Sequence, residues 1–227
     1  MNRTNVMLPL YDITPFTLLD FPDTPAAIFW FAGCNLRCLY CYNPDIVLGE
    51  GRISVEQALS ILVKRVGFLE GVVLSGGECT LYSDLIPFCH SIKNMGYKIK
   101  IDTNGMRPDV IRQLLEANLL DYVALDYKAP DSKMKDICGG GSEKRFWECF
   151  DTLQSFNMKF EVRTTFHSDL LSEEEIIMMS NKLKAMGYQN PFYVQLFREG
   201  VKTLGMVETP MHSADIELLS QFVTLRQ

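Results

Sequence analysis

With 227 residues and a formal charge of −6, the chain has the size of one large α/β domain and lacks the basic surplus that broad nucleic-acid binding requires. Apolar residues make up 47% and charged residues 22%, an ordinary soluble mixture able to bury a substantial core. No apolar run approaches the roughly 20 residues of a membrane span, so no membrane partner is expected.

Met1–Leu10 has neither the apolar core nor the cleavage pattern of a signal peptide. Tyr11-Asp-Ile-Thr-Pro-Phe-Thr-Leu-Leu-Asp-Phe-Pro22 reads as an extended lead-in that can hold a short strand and turn. From there, apolar β-branched runs alternate six times with amphipathic helical patterns, the signature of β/α units and a parallel sheet. The predicted strands are Ala26–Phe31, Gly71–Leu74, Tyr97–Ile101, Tyr122–Leu125, Phe160–Thr164 and Phe192–Leu196. The predicted helices lie near Ser54–Val66, Ser83–Met95, Pro108–Ala117, Glu143–Phe156, Ser172–Met186 and Ser213–Leu225. Ser54-Val-Glu-Gln57 and Ser172-Glu-Glu-Glu175 offer side-chain oxygens to the orphan amides of a first turn. Cys138-Gly-Gly-Gly141 reads as a flexible join between the fourth strand and its helix. The expectation is one domain over 1–227, with a lead-in at 1–24, a core at 25–200 and a C-terminal segment and helix at 201–227. Six units are fewer than the eight of a closed barrel, so the expected fold is an open partial (β/α)6 barrel with a lateral mouth.

Unusual polar residues gather on one rim of that barrel. Cys34–Cys41, Gly76-Gly-Glu78, Asp102-Thr-Asn-Gly105, Asp126-Tyr-Lys128 and Arg163-Thr-Thr165 fall at or just beyond the C-terminal ends of predicted strands. Parallel α/β barrels collect their catalytic residues on that face.

In Gly33-Cys-Asn-Leu-Arg-Cys-Leu-Tyr-Cys-Tyr42, the thiolates of Cys34, Cys38 and Cys41 can hold three irons of a cubane cluster and leave the fourth open to an outside ligand. A zinc knot would normally need a fourth Cys or His in a partner motif. His90, His167 and His212 are isolated, and Cys79, Cys89, Cys138 and Cys149 form no second CxxC. Seven cysteines, an odd number, also speak against a disulfide framework and for a reducing, cytoplasmic setting. Gly76 and Gly77 end a buried strand where backbone must approach a ligand closely, although any tight turn can use such a pair. Asp102–Gly105 is at least an Asx-type turn capping the next helix. Asp126 and Lys128, two apart on an extended chain, share a face, as a solvent-exposed ion pair or as part of a site. Arg163 is a charge inside an apolar strand, costly unless paired. His167, Gln195, Arg198 and Cys138 are assigned no role.

The cysteine run resembles the cluster-binding motif of the radical SAM superfamily, and the resemblance covers most of residues 8–200. It implies a [4Fe–4S] cluster on Cys34, Cys38 and Cys41 as the reaction centre, its open iron taking the amino and carboxylate groups of S-adenosylmethionine. By the same resemblance Tyr40 packs near the adenine, while Gly76, Gly77 and Glu78 contact the methionine amino end. Asp102 and Thr103, with Asp126, would bind a monovalent cation and meet the cofactor's carboxylate. Two carboxylates converging near a third need a cation between them, or one must protonate. Lys128 would hold the substrate backbone or the cofactor carboxylate, and Arg163 the cofactor's polar end or Asp126.

Leu18-Leu-Asp-Phe-Pro22, Gly33–Cys38, Cys41-Tyr-Asn-Pro44, Asp102–Gly105 and Leu125-Asp-Tyr-Lys-Ala-Pro130 resemble the glycyl-radical activases, nearest the branch serving anaerobic ribonucleoside-triphosphate reductase. Tyr42, where that branch usually has histidine, and Cys79, where the family usually has proline, depart from the pattern. The resemblance implies cluster reduction by a flavodoxin or ferredoxin-type donor and reductive cleavage of S-adenosylmethionine. A 5′-deoxyadenosyl radical then abstracts hydrogen from a glycine of that reductase or another glycyl-radical enzyme. A small-molecule enzyme resembling 7-carboxy-7-deazaguanine synthase, and a non-catalytic metal or electron-transfer module, remain the other readings.

Overall fold

The alternation of β-branched runs with amphipathic stretches resolves, in the computed structural model, into one eight-stranded sheet flanked by helices. Residues 8–226 are described, so the first seven residues of the stretch read for a signal peptide lie outside them. The elements run β1 (Leu10–Thr17), β2 (Ala26–Phe31), α1 (Pro44–Leu48), α2 (Val55–Val63), β3 (Gly71–Gly76), α3 (Leu85–Asn94), β4 (Lys98–Thr103) and α4 (Pro108–Glu116). There follow β5 (Tyr122–Asp126), α5 (Asp131–Cys138), α6 (Glu143–Ser155), β6 (Phe160–Phe166), α7 (Glu173–Ala185), β7 (Phe192–Leu196), α8 (Ile216–Ser220) and β8 (Thr224–Arg226). Strand order follows chain order from β1 to β8. β1 lies antiparallel to β2, and every later neighbour is parallel. β1 and β8 are not paired with each other, so the sheet is an open partial (β/α)6 barrel with one strand added at each edge.

All six predicted strands are present. The lead-in becomes β1, held on β2 by pairs from Leu10–Phe31 to Thr17–Ala26. The C-terminal helix is shorter than expected: α8 ends at Ser220 and Thr224–Arg226 pairs with Tyr193–Gln195 as β8. A short run beside an unpaired sheet edge gains ladder bonds that a helix there would forgo. The stretch Asp131–Cys138, which carries no predicted element, forms α5, buried through Met134, Ile137 and Cys138 and ended by Gly139 at φ +68°, so Cys138 of the expected join belongs to a helix. Its apolar face is two turns long, too short for periodicity to expose. The capping boxes expected at Ser54 and Ser172 both form.

Strand alternation sorts the residues. One face of each central strand turns to the helices and builds the apolar core, where Phe29 stacks on Phe88 with centroids 6.0 Å apart. The opposite face carries Ser75 on β3, Lys100 and Asp102 on β4, Asp126 on β5, and Glu161 and Arg163 on β6. The barrel interior is therefore charged, and its ion pairs lead toward the C-terminal rim.

Candidate active site

The loop after β2 is held from three sides. Gly33 N–H donates to Ile46 O at 2.9 Å, and Arg37 and Leu39 N–H donate to Cys138 O and Ile137 O at 2.7 and 2.9 Å. The segment after β7 adds Leu204 N–H to Cys41 O at 2.9 Å and Gly205 N–H to Leu39 O at 2.8 Å. The Arg37 guanidinium braces the loop from within, donating to Cys34 O at 2.7 Å and Leu36 O at 2.8 Å. These bonds set Cys34, Cys38 and Cys41 on the wall of one cavity at the C-terminal rim.

Every other site residue expected from the sequence lines the same cavity: Tyr40, Gly76, Gly77, Glu78, Asp102, Thr103, Asp126, Lys128 and Arg163. Residues from five separated stretches meet because consecutive parallel strands end on one rim.

The individual contacts refine several expected roles. A Cβ on Gly77 would stand 1.7 Å from Gly33 O, and Gly76 has φ +119° with Phe31 backbone 2.4 Å from its Cβ position. Gly76 is thus pressed against the end of β2 and Gly77 against the cluster loop, while both also line the cavity. Glu78, 2% exposed, accepts at Oε1 from the hydroxyls of Thr80 and Thr103 at 2.6 and 2.8 Å, and at Oε2 from Asn104 N–H at 2.8 Å. Burial raises its pKa above the usual value, with those bonds opposing. Glu78 and Thr103 therefore hold each other, and Thr103 turns its hydroxyl away from the face that carries Asp102. Tyr40 is buried and donates to Lys128 O at 3.1 Å.

Asp126 and Lys128 form an ion pair at 3.0 Å, with Lys128 only 20% exposed, so the pair belongs to the site and not to open solvent. Arg163 donates from Nε to Asp126 at 2.7 Å and reaches Asp102 at 3.2 Å. Lys100 meets the other oxygen of Asp102, and Ser75 donates to Asp102 Oδ2 at 2.9 Å. Burial pushes both aspartates up. Arg163 outweighs it, with Lys100 for Asp102 and Lys128 for Asp126, leaving both carboxyls below their usual range. Burial likewise pulls Lys128 and Arg163 down and is outweighed by their carboxylates, so both stand above their ordinary values.

Burial raises the free Cys34 thiol to about 11 and lifts Cys41, while hydrogen bonding to Cys138 and burial lift Cys38. Cys138, at the end of α5 and fully buried, is thus a neighbour of the motif, which no spacing rule could reveal. Cys79 stands behind the cavity, buried, its thiol 3.6 Å from Leu74 O and Asp102 O. His167 bonds Glu208 O at 2.9 Å, and Gln195 joins the cavity wall. Tyr42 accepts the Arg198 N–H at 2.7 Å and stacks on Phe197. Lys100 was legible by the signal that marks Arg163, a charge inside an apolar strand.

The donor set fits a cubane cluster. Among the described residues no three His, Cys, Asp or Glu side chains gather around a single ion, whereas three thiols share one cavity wall, as ligands to three separate irons would.

Comparison with known proteins agrees with this geometry. The Radical SAM superfamily matches residues 28–189. A Methanocaldococcus jannaschii protein provisionally named as a glycyl-radical enzyme activating enzyme is 32% identical over 179 residues, covering 76% of this chain and 74% of its own. The pyruvate formate-lyase-activating enzyme of Clostridium pasteurianum is 29% identical over 187 residues, 79% of this chain and 77% of its own. In fold, Streptococcus suis SuiB bound to S-adenosylmethionine superposes with a TM-score of 0.67 at 19% identity over 86% of this chain, which spans 47% of SuiB. No helix among the described residues is long and apolar enough to cross a membrane. The chain belongs to the radical SAM superfamily and is of its glycyl-radical-enzyme activase type, a family whose cofactors are a [4Fe–4S] cluster and S-adenosylmethionine.

Proposed function

We propose that this chain installs a glycyl radical on an anaerobic ribonucleoside-triphosphate reductase, drawing its electron from a flavodoxin or ferredoxin-type donor. The observation that carries the reading is the single cavity joining the three motif thiols to Asp102, Asp126, Lys128 and Arg163. When bound, the cluster and S-adenosylmethionine supply one-electron cleavage of a sulfonium bond and abstraction of a hydrogen atom.

The chain's own work is binding, orientation and exclusion of water. Cys34, Cys38 and Cys41 would hold the irons as thiolates, giving up protons that burial, and for Cys38 first the hydrogen bond to Cys138, keeps on the free thiols. Lys128 and Arg163 stay charged and would meet a carboxylate, since their ion pairs hold them facing the cavity. Tyr40, tied to Lys128 O, would present a buried aromatic edge to a nucleoside base. The segment after β7, bonded to Leu39 and Cys41, covers the cluster loop and would keep water from it. The gap between β1 and β8 leaves a lateral mouth suited to a loop of protein.

The relatives' names support a glycyl-radical enzyme as partner, and the resemblance of Leu125–Pro130 and Leu18–Pro22 supports the reductase among such enzymes. Electron paramagnetic resonance of the reconstituted protein with S-adenosylmethionine, reductant and the same organism's reductase tests this. A glycyl-radical doublet requiring all components is expected. A doublet on a pyruvate formate-lyase alone would overturn the choice of partner. Absence of 5′-deoxyadenosine under reducing, anaerobic conditions would overturn the activity itself.

A further inference from the structure

We infer that the ammonium of Lys100 serves as a built-in cation on Asp102 beneath the cofactor site and, with Arg163 bridging Asp102 and Asp126, takes the place that a separately bound monovalent metal ion was expected to fill. The inference rests on the reading of this cavity as the S-adenosylmethionine site.

The expected ligands are already engaged. Asp102 has Lys100 on Oδ1, and Ser75 and Arg163 on Oδ2 at 2.9 and 3.2 Å. Asp126 has Arg163 on Oδ1 at 2.7 Å and Lys128 on Oδ2 at 3.0 Å. Thr103 spends its hydroxyl on Glu78 on the other side of β4. Each of the four carboxylate oxygens already accepts from a charged donor, so a metal ion would have to sit against positive groups, and a protein cation already adjacent has no separate binding entropy to lose.

The sequence builds the arrangement through strand alternation. Lys100 and Asp102 are two apart on β4, so both face the barrel interior. Lys100 is paired in register with Val73 on β3, and Asp102 with Ala124 on β5. Ala124 is small enough to let Arg163 reach Asp102 across β5, while Lys100 has Tyr122 of β5 on its other side. Lys100 is 2% exposed, and an ammonium so buried persists only with a partner. The neighbouring charges also decide the sign. Lys100, Lys128, Arg163 and Arg226 face Asp102, Asp126 and Glu161, which Arg226 meets at 2.9 Å. Within this ion-pair network the cations outnumber the carboxylates by one, and Glu78 on the same cavity brings the total to balance, so no unpaired negative charge is left to call for a further cation.

Lys100 acts through Asp102, so it is a positioning residue. Its test is the cation dependence of the anaerobically cluster-reconstituted protein, read in potassium chloride and in tetramethylammonium chloride at equal ionic strength. Calorimetry gives the affinity for S-adenosylmethionine, and scanning fluorimetry gives thermal stability without it. The parent is expected to bind with the same affinity and melt at the same temperature in both salts. Lys100→Met is expected to bind about tenfold more weakly in tetramethylammonium and to recover with potassium or methylammonium, whereas Lys100→Arg stays indifferent to the salt. Potassium-specific tightening or stabilisation of the parent would overturn the inference, as would a Lys100→Met protein that binds like the parent in tetramethylammonium. If Lys100→Met fails to fold, the parent's two salts still decide. Absence of S-adenosylmethionine binding in any salt would overturn the reading of the site, while the stability comparison still tests the lysine.

Discussion

Glu78 accepts the backbone N–H of Asn104 at 2.8 Å, and Asn104 donates its side-chain amide to Asn35 at 2.8 Å in the cluster loop. The turns after β2, β3 and β4 are thereby one mechanical unit, with a single buried carboxylate at its centre. Glu78→Ala leaves two hydroxyls and two backbone N–H groups without their acceptor, a loss expected on the order of 3 kcal/mol. Glu78→Gln, which keeps one acceptor, should lose less. Urea unfolding checks the order, and equal losses for the two variants would contradict it.

Gly77 and Gly33 should respond unequally to the same methyl group. At Gly77 it would stand 1.7 Å from Gly33 O, so β3 and the cluster loop must part, for a loss of about 4 kcal/mol or more. At Gly33, with φ +82° and open space around it, only backbone strain opposes alanine, about 1–2 kcal/mol. Denaturation midpoints of Gly77→Ala and Gly33→Ala decide, and a Gly33→Ala protein at least as damaged as Gly77→Ala would refute the account.

The acid limb of stability should trace to Asp102 and Asp126. Their folded pKa values lie below the unfolded ones, so their contribution is present above the unfolded value of about 4 and drains away as pH falls through the folded values. Glu78 has the opposite sign: its raised folded pKa contributes stability below the unfolded value that is lost as pH rises through the folded one. Asp126→Asn should flatten the loss of stability below about pH 4. An unchanged acid limb in that variant would place its origin elsewhere.

Cys38→Ala is expected to abolish both the cluster and the cleavage of S-adenosylmethionine, since two thiolates cannot replace three on a cubane. Iron content, visible absorbance and 5′-deoxyadenosine formation read this together. Retained cleavage would contradict the ligand assignment.

Tyr42→Phe removes the acceptor of the Arg198 N–H but keeps the stack on Phe197. The expected loss is about 1 kcal/mol, with faster amide exchange in residues 198–205 as the segment after β7 loosens from the cluster loop. Unchanged exchange there would show that Leu204 and Gly205 alone hold the segment.

Motif spacing made Cys34, Cys38 and Cys41 legible, and apolar periodicity made the six central strands legible, because both signals are local. Arg163 and Lys100 share one local signal, a charge within an apolar strand, but Lys100 meets Asp102 on its own strand, whereas the partners of Arg163 lie on other strands and appear only when the register is known. Gly76 and Gly77 were legible as a close approach, whereas what they approach was not: Gly33 is more than forty positions away in sequence. β8 and α5 escaped the periodicity for different reasons, one because an unpaired edge recruited a short run, the other because two turns carry too little pattern.

The sequence by itself determined the class of chemistry, since three thiols at that spacing need no distant residue to specify iron ligation, and it determined the parallel sheet through repeated alternation. Only the tertiary structure decided how the charges behind the site are balanced. Strand register sets which of Lys100, Asp102, Asp126, Lys128 and Arg163 touch, and Coulomb energies inside a protein depend on distances that spacing along the chain does not encode.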